Sequence, residues 1–250
     1  PYGFSEDLHL CSGSPRVWKS SNLKGERAIS YNLSADYYAK KYQFSINIFR
    51  TNLKDKIQFS PADDEVKKFG YSYQWENVDD AYVQGVELGA KANLFRNFNA
   101  GINWTFNQGK FKHERADWSD PNDETVKEFP QRLQYAKDSR NISRFPAMTG
   151  DIDLDYTPGT WTFSLTSSLQ GRMFIDYNSE DDGATSKIKK TNTFMIFNCR
   201  AAKRFGTCTV YVGAKNIFSY IQDEKHTDDA AFMYAPVYGA TWYVGLSVKL

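Results

Sequence analysis

Apolar and polar residues alternate with a period of two over most of this chain. From Ile29 to Tyr37 the odd positions are apolar or aromatic and the even positions are polar. After a short link at residues 39–41 the even positions become apolar, in the series Tyr42, Phe44, Ile46 and Ile48. The pattern predicts a hairpin of two antiparallel strands, each with one apolar and one polar face.

The same alternation predicts seven further strands, which makes about nine in all. Three more hairpins and a last strand are expected, at residues 82–91 with 98–106, 148–156 with 161–170, 192–204 with 208–216, and 242–250. The third of these hairpins is the least regular, because residues 194–197 are apolar at both parities. The chain is therefore predicted to be all-β and antiparallel.

The links between the predicted strands are of two kinds that alternate strictly. Short turns lie near residues 40, 95, 158 and 206, and long polar segments lie near 60–70, 108–146, 176–191 and 219–238. Outer-membrane barrels have short periplasmic turns and longer extracellular loops. The link lengths thus favour an antiparallel transmembrane β-barrel.

The two faces of the strands agree with a barrel wall. Aromatic residues such as Tyr37, Phe106 and Trp161 lie toward the ends of the apolar faces, as in interfacial girdles. The opposite faces carry charged residues such as Asp36 and Glu87, which a wet or plugged lumen tolerates and a dry core does not.

The composition argues against several classes of function. The 250 residues carry 31 Lys+Arg and 30 Asp+Glu, and no basic cluster is interleaved with aromatics, so nucleic-acid binding is not expected. No apolar run approaches the ~18 residues of a spanning helix. The spacing of the three histidines and of Cys11, Cys199 and Cys208 matches no metal site or disulfide framework. We expect no metal and no cofactor.

Two other classes of protein fit the alternation of apolar and polar residues. A small outer-membrane barrel enzyme would close with eight to ten strands and carry catalytic residues at its rim. A soluble β-sandwich, as in an adhesin or carbohydrate-binding module, would cover the apolar face with a second sheet. The sequence has no nucleophile elbow, phosphate-binding loop or marked carboxylate pair, and hence no catalytic residue is predicted.

Several motifs resemble TonB-dependent outer-membrane receptors, and they occur in that family's order. Residues 73–78 and 84–88 resemble its signature stretch. Residues 213–218, Tyr234–Pro236, Gly239 and the terminal strand resemble its closing part, and residues 1–26 resemble the barrel segment between two of its motifs.

The resemblance implies a fold and an extent. It implies that residues 1–250 are the C-terminal part, about nine to ten strands, of a 22-stranded plugged barrel. At about 28 residues per strand and loop, such a barrel needs about 600 residues. The chain starts at Pro1 as an excised piece would, and the plug domain and N-terminal strands are expected to be absent from it.

The resemblance also implies a function and partners. The implied function is energy-dependent uptake of a scarce large nutrient, namely siderophore-iron, heme or cobalamin. The implied partners are outer-membrane lipid, the remainder of the receptor, TonB through the missing N-terminal part, and the nutrient itself. The implied location is the bacterial outer membrane.

The candidate ligand-binding residues lie in the long segments, which the topology places on the outer face. They are His9, His113, Trp118, Tyr135, Tyr177 and His226. The resemblance makes His9 a candidate heme ligand, because heme receptors of the family carry a histidine between the two opening motifs; a solvated loop histidine is the other interpretation. The mixed charge of the 108–146 segment does not indicate which cargo binds.

Overall fold

The computed structural model describes eleven stretches of the chain, and the findings below concern these residues. They are residues 17–19, 22–61, 64–71, 73–114, 119–122, 127, 130, 133, 136–175, 189–222 and 234–249. The described residues form two compact units. The first takes residues within Pro1–Tyr31, Arg50–Val83 and Gly109–Ile142, and the second takes those within Asn32–Phe49, Gln84–Gln108 and Ser143–Leu250.

Nearly all regular structure in the described residues is β-strand, which confirms the predicted fold class. The strands are β1 (Val17–Lys19), β2 (Arg27–Tyr38), β3 (Tyr42–Pro61), β4 (Tyr73–Phe95), β5 (Phe98–Phe111), β6 (Met148–Tyr156), β7 (Trp161–Gln170), β8 (Phe174–Ile175), β9 (Lys189–Lys190), β10 (Phe194–Phe205), β11 (Cys208–Lys215) and β12 (Thr241–Val248). The short helix α1 (Asp64–Lys67) follows β3, and a 3₁₀ turn spans Ala136–Arg140.

The main sheet is a meander in which neighbours in sequence are neighbours in space. Its order is β2-β3-β4-β5-β6-β7-β10-β11-β12, with β1 added parallel to β4. The strands β8 and β9 form a separate ribbon. Each predicted hairpin is present, and the predicted short turns join β2 to β3, β4 to β5, β6 to β7 and β10 to β11.

The strands β3 and β4 are longer than the alternation predicted. They contain 20 and 23 residues, and β4 begins at Tyr73 rather than near residue 82. Backbone hydrogen bonds hold a ladder together whatever the side chains are, so polar residues extend these strands beyond their apolar faces. Hydrophobic alternation reports only the part of a strand that has an apolar face.

Direct cross-strand pairs place apolar residues opposite one another on one face. Examples are Ile102 with Ile152, Leu154 with Leu165, and Val212 with Val244. The large side chains of this face are exposed, with Ile102 at 40% and Val244 at 77% of full exposure. A contiguous exposed apolar face of this extent suits a surface that meets hydrocarbon rather than water.

The register also resolves the irregular strand β10. Cys199 pairs with Leu165 and Ala201 pairs with Phe163, so the odd positions of β10 join the apolar face. Phe194 has the opposite parity and is buried against Met173 and Tyr234. Residues 194–197 are therefore apolar at both parities because each parity meets a different apolar environment.

The other face of the sheet is polar, and its groups bind one another. Asn47 Nδ2 donates to Glu87 Oε2 at 2.9 Å, and Ser164 Oγ donates to Asp155 Oδ1 at 2.6 Å. Asn103 Nδ2 lies 3.3 Å from Asp151 Oδ2. No second sheet covers the apolar face within the described residues, in contrast to the sandwich alternative.

An aromatic belt follows the short-turn end of the apolar face. Phe98 lies 6.3 Å from Tyr156, Tyr156 lies 6.4 Å from Phe163, and Phe163 lies 5.6 Å from Trp161, all between ring centroids. Phe95 extends the belt at 4.8 Å from Phe98. Aromatic side chains have one apolar part and a polarised edge, and they accumulate at membrane interfaces for that reason.

Gly85 on β4 allows an aromatic ring to lie against the strand. A Cβ at this position would overlap the Phe106 carbonyl oxygen and would lie 2.7 Å from the Phe49 ring. A side chain of the sheet itself occupies the space over this glycine. Glycine is thus required here by close contact within the sheet.

Replacing Ile102 by Arg should impair membrane assembly. A cation on the apolar face at mid-strand costs about 2–4 kcal/mol in a lipid-facing position. The control is Asn103→Arg, which places the same charge on the polar face beside Asp151. Both variants are compared with the wild type by the free energy of unfolding of the intact protein in lipid vesicles. Equal losses of this free energy in the two variants would contradict the assignment of the two faces.

Replacing Gly85 by Ala should destabilise the protein by about 1–3 kcal/mol, because the new methyl group overlaps a carbonyl and a ring in a packed sheet. Gly25→Ala is the matched control, since a Cβ there meets nothing within 4 Å. Denaturant unfolding of the two variants gives the comparison. If Gly85→Ala is as stable as the control, the close contact does not constrain this position.

Candidate functional site

His113 is the one predicted ligand-binding residue that lies among the described residues. It follows the end of β5 and is fastened to Asp79 on β4. The backbone N–H of His113 donates to Asp79 Oδ2 at 2.7 Å, and its ring Nδ1 lies 2.9 Å from Asp79 Oδ1. The carboxylate side chain is largely buried and the imidazole is 67% exposed. One carboxylate therefore fixes both the backbone and the ring of His113.

Asp80 and Asp55 also help to hold the chain next to His113. The backbone N–H of Lys112 donates to the Asp80 carbonyl at 2.8 Å, and the Asp80 carboxylate accepts from the Asp55 N–H at 3.1 Å. Asp55 has a positive φ of 56°, a conformation that Asp tolerates better than most residues. The segment that carries His113 is thus anchored at consecutive residues.

Asn77 joins two further chain segments. Its Oδ1 accepts from the Lys24 N–H at 2.7 Å, and its Nδ2 donates to the carbonyls of Lys24 and Asp55 at 3.0 and 2.6 Å. An amide side chain that donates and accepts at once suits such a junction. Residue 24 is held to β3 and β4 in this way.

The surroundings of Asp79 hold its carboxyl in the ionised form. Burial alone would raise the pKa of Asp79, but hydrogen bonds from the backbone and ring of His113 and from the Asp80 N–H outweigh burial and lower it below 3.8. Because the pKa is depressed in the folded state, these contacts add stability above the unfolded-state pKa. That stability is lost as pH falls through the folded-state pKa.

The ionised carboxylate determines which ring nitrogen of His113 faces outward. A carboxylate only accepts hydrogen bonds, so Nδ1 carries the proton that it shares with Asp79. The neutral ring then presents the lone pair of Nε2 away from the carboxylate. A histidine oriented in this way by a carboxylate can accept a hydrogen bond or bind a metal centre.

Arg50 and Tyr82 mark where the apolar faces of β3 and β4 end. The apolar series Phe44, Ile46 and Ile48 stops at Arg50, whose guanidinium lies 4.4 Å from the centroid of the Tyr82 ring. A cation over an aromatic ring is typical of a membrane interface. Asp79 precedes Tyr82 along β4 and so lies outside the apolar part of that strand.

A second cluster lies within the second unit, near one end of β7 and β10. Met173, Phe194 and Tyr234 are buried together, and Tyr220 stacks on Phe194 at 4.9 Å between ring centroids. Beside them is a cavity of about 380 Å³, lined by residues that include Gln170, Phe194 and Tyr234.

Two amide side chains hold the loop ends around this cluster. Gln222 Oε1 accepts from the Tyr234 N–H at 3.0 Å. Asn216 Nδ2 donates to the carbonyls of Tyr220 and Tyr238 at 2.7 and 3.2 Å. The two ends of the segment between β11 and β12 are consequently bound to each other.

The remaining predicted site residues lie outside the described residues and stay predictions. They are His9, Trp118, Tyr135, Tyr177 and His226. Sequence reasoning did not identify Asp79 or Tyr234 as site residues. Both lie in or next to the motifs on which the family resemblance rests. Those motifs were interpreted as evidence for the family and not as evidence for individual site residues.

No group of three or more His, Cys, Asp or Glu side chains among the described residues could hold an ion. Cys199 and Cys208 are both free thiols. None of the described helices is sufficiently long and apolar to cross a membrane.

The family model described as "TonB dependent receptor-like, beta-barrel" matches residues 2–217. Solved structures agree in fold. The FrpB iron transporter from Neisseria meningitidis (F3-3 variant) is 14% identical, with a TM-score of 0.64, over 94% of this chain and 33% of that one. The siderophore receptor PirA from Pseudomonas aeruginosa is 17% identical, with a TM-score of 0.59, over 97% and 33%.

The copper transporter OprC is also similar, at 18% identity and a TM-score of 0.60, over 92% of this chain and 32% of that one. The chain spans about a third of the length of the solved structures that it matches. The family match covers most of the sequence, and the matching structures share its antiparallel sheet. The chain therefore belongs to the TonB-dependent receptor β-barrel family of the bacterial outer membrane.

Proposed function

We propose that residues 1–250 form the C-terminal part of the barrel of a receptor that imports a scarce nutrient too large for porins. The nutrient is siderophore-iron, heme or cobalamin. The observation that carries the proposal is a single-layer sheet with one lipid-type face and one hydrogen-bonded polar face, in a chain of this family. Similar structures are named as an iron transporter, a siderophore receptor and a copper transporter, which supports the siderophore-iron member of this range.

The wall itself contributes a polar surface to the conduit. Its polar face carries hydrogen-bonded groups such as Asn47 with Glu87. The plug and the contact with TonB belong to the remainder of the receptor. Energy from the inner membrane then acts on the plug, and the wall provides the fixed frame.

Cargo contacts come from the loop side, through the six candidate residues His9, His113, Trp118, Tyr135, Tyr177 and His226. Aromatic rings can cover a flat macrocycle or a catecholate. His113 is the member of the set with an observed orientation, because Asp79 holds its ring and its backbone. If the cargo is heme, His9 is the residue proposed to bind the iron.

Deleting the gene should abolish growth under limitation on one nutrient of these classes and leave growth on the others unchanged. The measurement supplies ferric siderophores, heme and cobalamin singly to the deletion strain and to the complemented strain. Normal uptake of every one of them would contradict the transport proposal. If heme uptake is lost, the Soret spectrum of His9→Ala in the intact receptor tests ligation by that residue.

Replacing His113 by Ala in the intact receptor should weaken cargo binding about tenfold, as expected for the loss of one hydrogen bond to a charged group. Asp79→Asn should weaken binding in the same direction, because it removes the charge that orients the ring. Lys67→Ala is the control, since Lys67 belongs to an exposed pair with Asp64. Titration with heme and with a ferric siderophore gives the affinities.

Amide hydrogen exchange in the same variants distinguishes a change in how His113 is held from a loss of folding. The N–H of His113 should exchange faster in Asp79→Asn, while amides within β6 and β7 keep their rates. If His113→Ala folds normally and binds cargo with unchanged affinity, the proposal that His113 contacts cargo is wrong. That result would not contradict the proposed transport function.

A further inference from the structure

Lys203 is a cation on the apolar face of the sheet. It pairs with Trp161 of β7 on one side and with Val210 of β11 on the other, and both partners belong to that face. Its Nζ lies 4.7 Å from the centroid of the Trp161 ring and 5.1 Å from that of Phe205. The next residue, Arg204, has the opposite parity and is exposed.

Among the described residues, Lys203 has aromatic rings close to its ammonium group. The ion pairs Lys67 with Asp64 and His113 with Asp79 do not involve it. Aromatic rings attract a cation, yet they do not neutralise its charge. A lysine near the end of a membrane-spanning strand can place its ammonium group at the membrane interface, where anionic headgroups are available. A negative charge close to Lys203 would come from the headgroups at that interface.

An apolar groove lies on the same face, and its lining includes Ala201 and Phe163, which lie two residues along β10 and β7 from Lys203 and Trp161. It has a volume of about 460 Å³, and its floor contains the small residues Ala201 and Cys199. Phe163 and Tyr156 flank it on one side, and Val212 and Trp242 flank it on the other. Small residues between larger ones leave a channel that is mainly apolar, and Lys203 lies two residues beyond Ala201, toward the turn.

The groove lies toward the short-turn end of the strands. Lys203 is three residues before the turn at Gly206, and its partner Trp161 follows the turn at Gly159. Short turns of outer-membrane barrels lie on the periplasmic side. The aromatic belt of Phe98, Tyr156, Phe163 and Trp161 marks the same interface. Lys203 is thus at the depth of the headgroups of the periplasmic leaflet, which consists of phospholipids.

We propose that Lys203 and this groove bind one anionic glycerophospholipid of the periplasmic leaflet. The ammonium group of Lys203 pairs with the phosphodiester, and an acyl chain fills the groove over Ala201 and Cys199. A phosphatidylglycerol headgroup suits the site better than phosphatidylethanolamine, whose own ammonium group competes for the phosphate. The lipid-facing surface is continuous with the groove, so the lipid reaches the site by lateral diffusion. This proposal is independent of the cargo.

Native mass spectrometry of the intact receptor tests the proposal. The purified receptor is titrated with phosphatidylglycerol and with phosphatidylethanolamine. We expect the wild type to prefer phosphatidylglycerol about fivefold, the factor that one basic residue near a membrane surface provides. Lys203→Gln should abolish the preference. Arg204→Gln removes one charge from the adjacent position on the other face and should retain the preference.

Three results would overturn the proposal: equal binding of the two lipids by the wild type, equal loss of preference in the two variants, or stronger retention of lipid A than of phosphatidylglycerol. The variant Ala201→Trp fills the groove and leaves Lys203 in place. It should lower the number of bound phosphatidylglycerol molecules by one. Unchanged occupancy in that variant would contradict the role of the groove.

A measurement on the wild type covers the case in which Lys203→Gln does not assemble. Brominated lipids quench tryptophan fluorescence on contact, and Trp161 lies beside Lys203. The contribution of Trp161 is the fluorescence of the wild type minus that of Trp161→Phe. Brominated phosphatidylglycerol should quench this contribution more strongly than brominated phosphatidylethanolamine at equal mole fraction. Equal quenching would refute the site.

Discussion

The register of the antiparallel ladder is the constraint on which the rest of this structure depends. Side chains on a strand alternate between faces, so a shift of one residue between two strands would move every apolar side chain to the polar face. Such a shift would leave residues such as Asp151 and Glu87 facing hydrocarbon. The pairing of Ile102 with Ile152 and of Leu154 with Leu165 shows the register in which both faces are satisfied together.

Beyond the apolar faces, side-chain hydrogen bonds replace burial as the source of order. Asn77 and Asp79 fasten segments to β4, and Asn216 and Gln222 bind the ends of the last long segment. Each of these polar groups makes several bonds at once, which limits the conformations of the backbone that it touches. Loop residues that contact a ligand gain from this arrangement, because less conformational entropy is lost when the ligand binds.

Cations with aromatic partners occur where apolar faces end. Arg50 lies over Tyr82 in one unit, and Lys203 lies over Trp161 in the other. In both places a long side chain keeps its charged group near an aromatic ring. Such positions hold a strand at a given depth in the bilayer, and at Lys203 the adjoining groove also gives a lipid room to bind.

The sequence by itself determined the fold class, the hairpins and the face of nearly every strand, because alternation and short turns are local properties of the chain. It also indicated the family through motifs in a fixed order. It did not indicate the extensions of β3 and β4, since a backbone ladder needs no apolar pattern.

Only the tertiary structure joined Asp79 to His113, which are 34 residues apart, or placed Lys203 over Trp161. These contacts depend on which strands become neighbours and in which register. The alternation within a single strand contains no information about either, because a period of two specifies a face and not a partner.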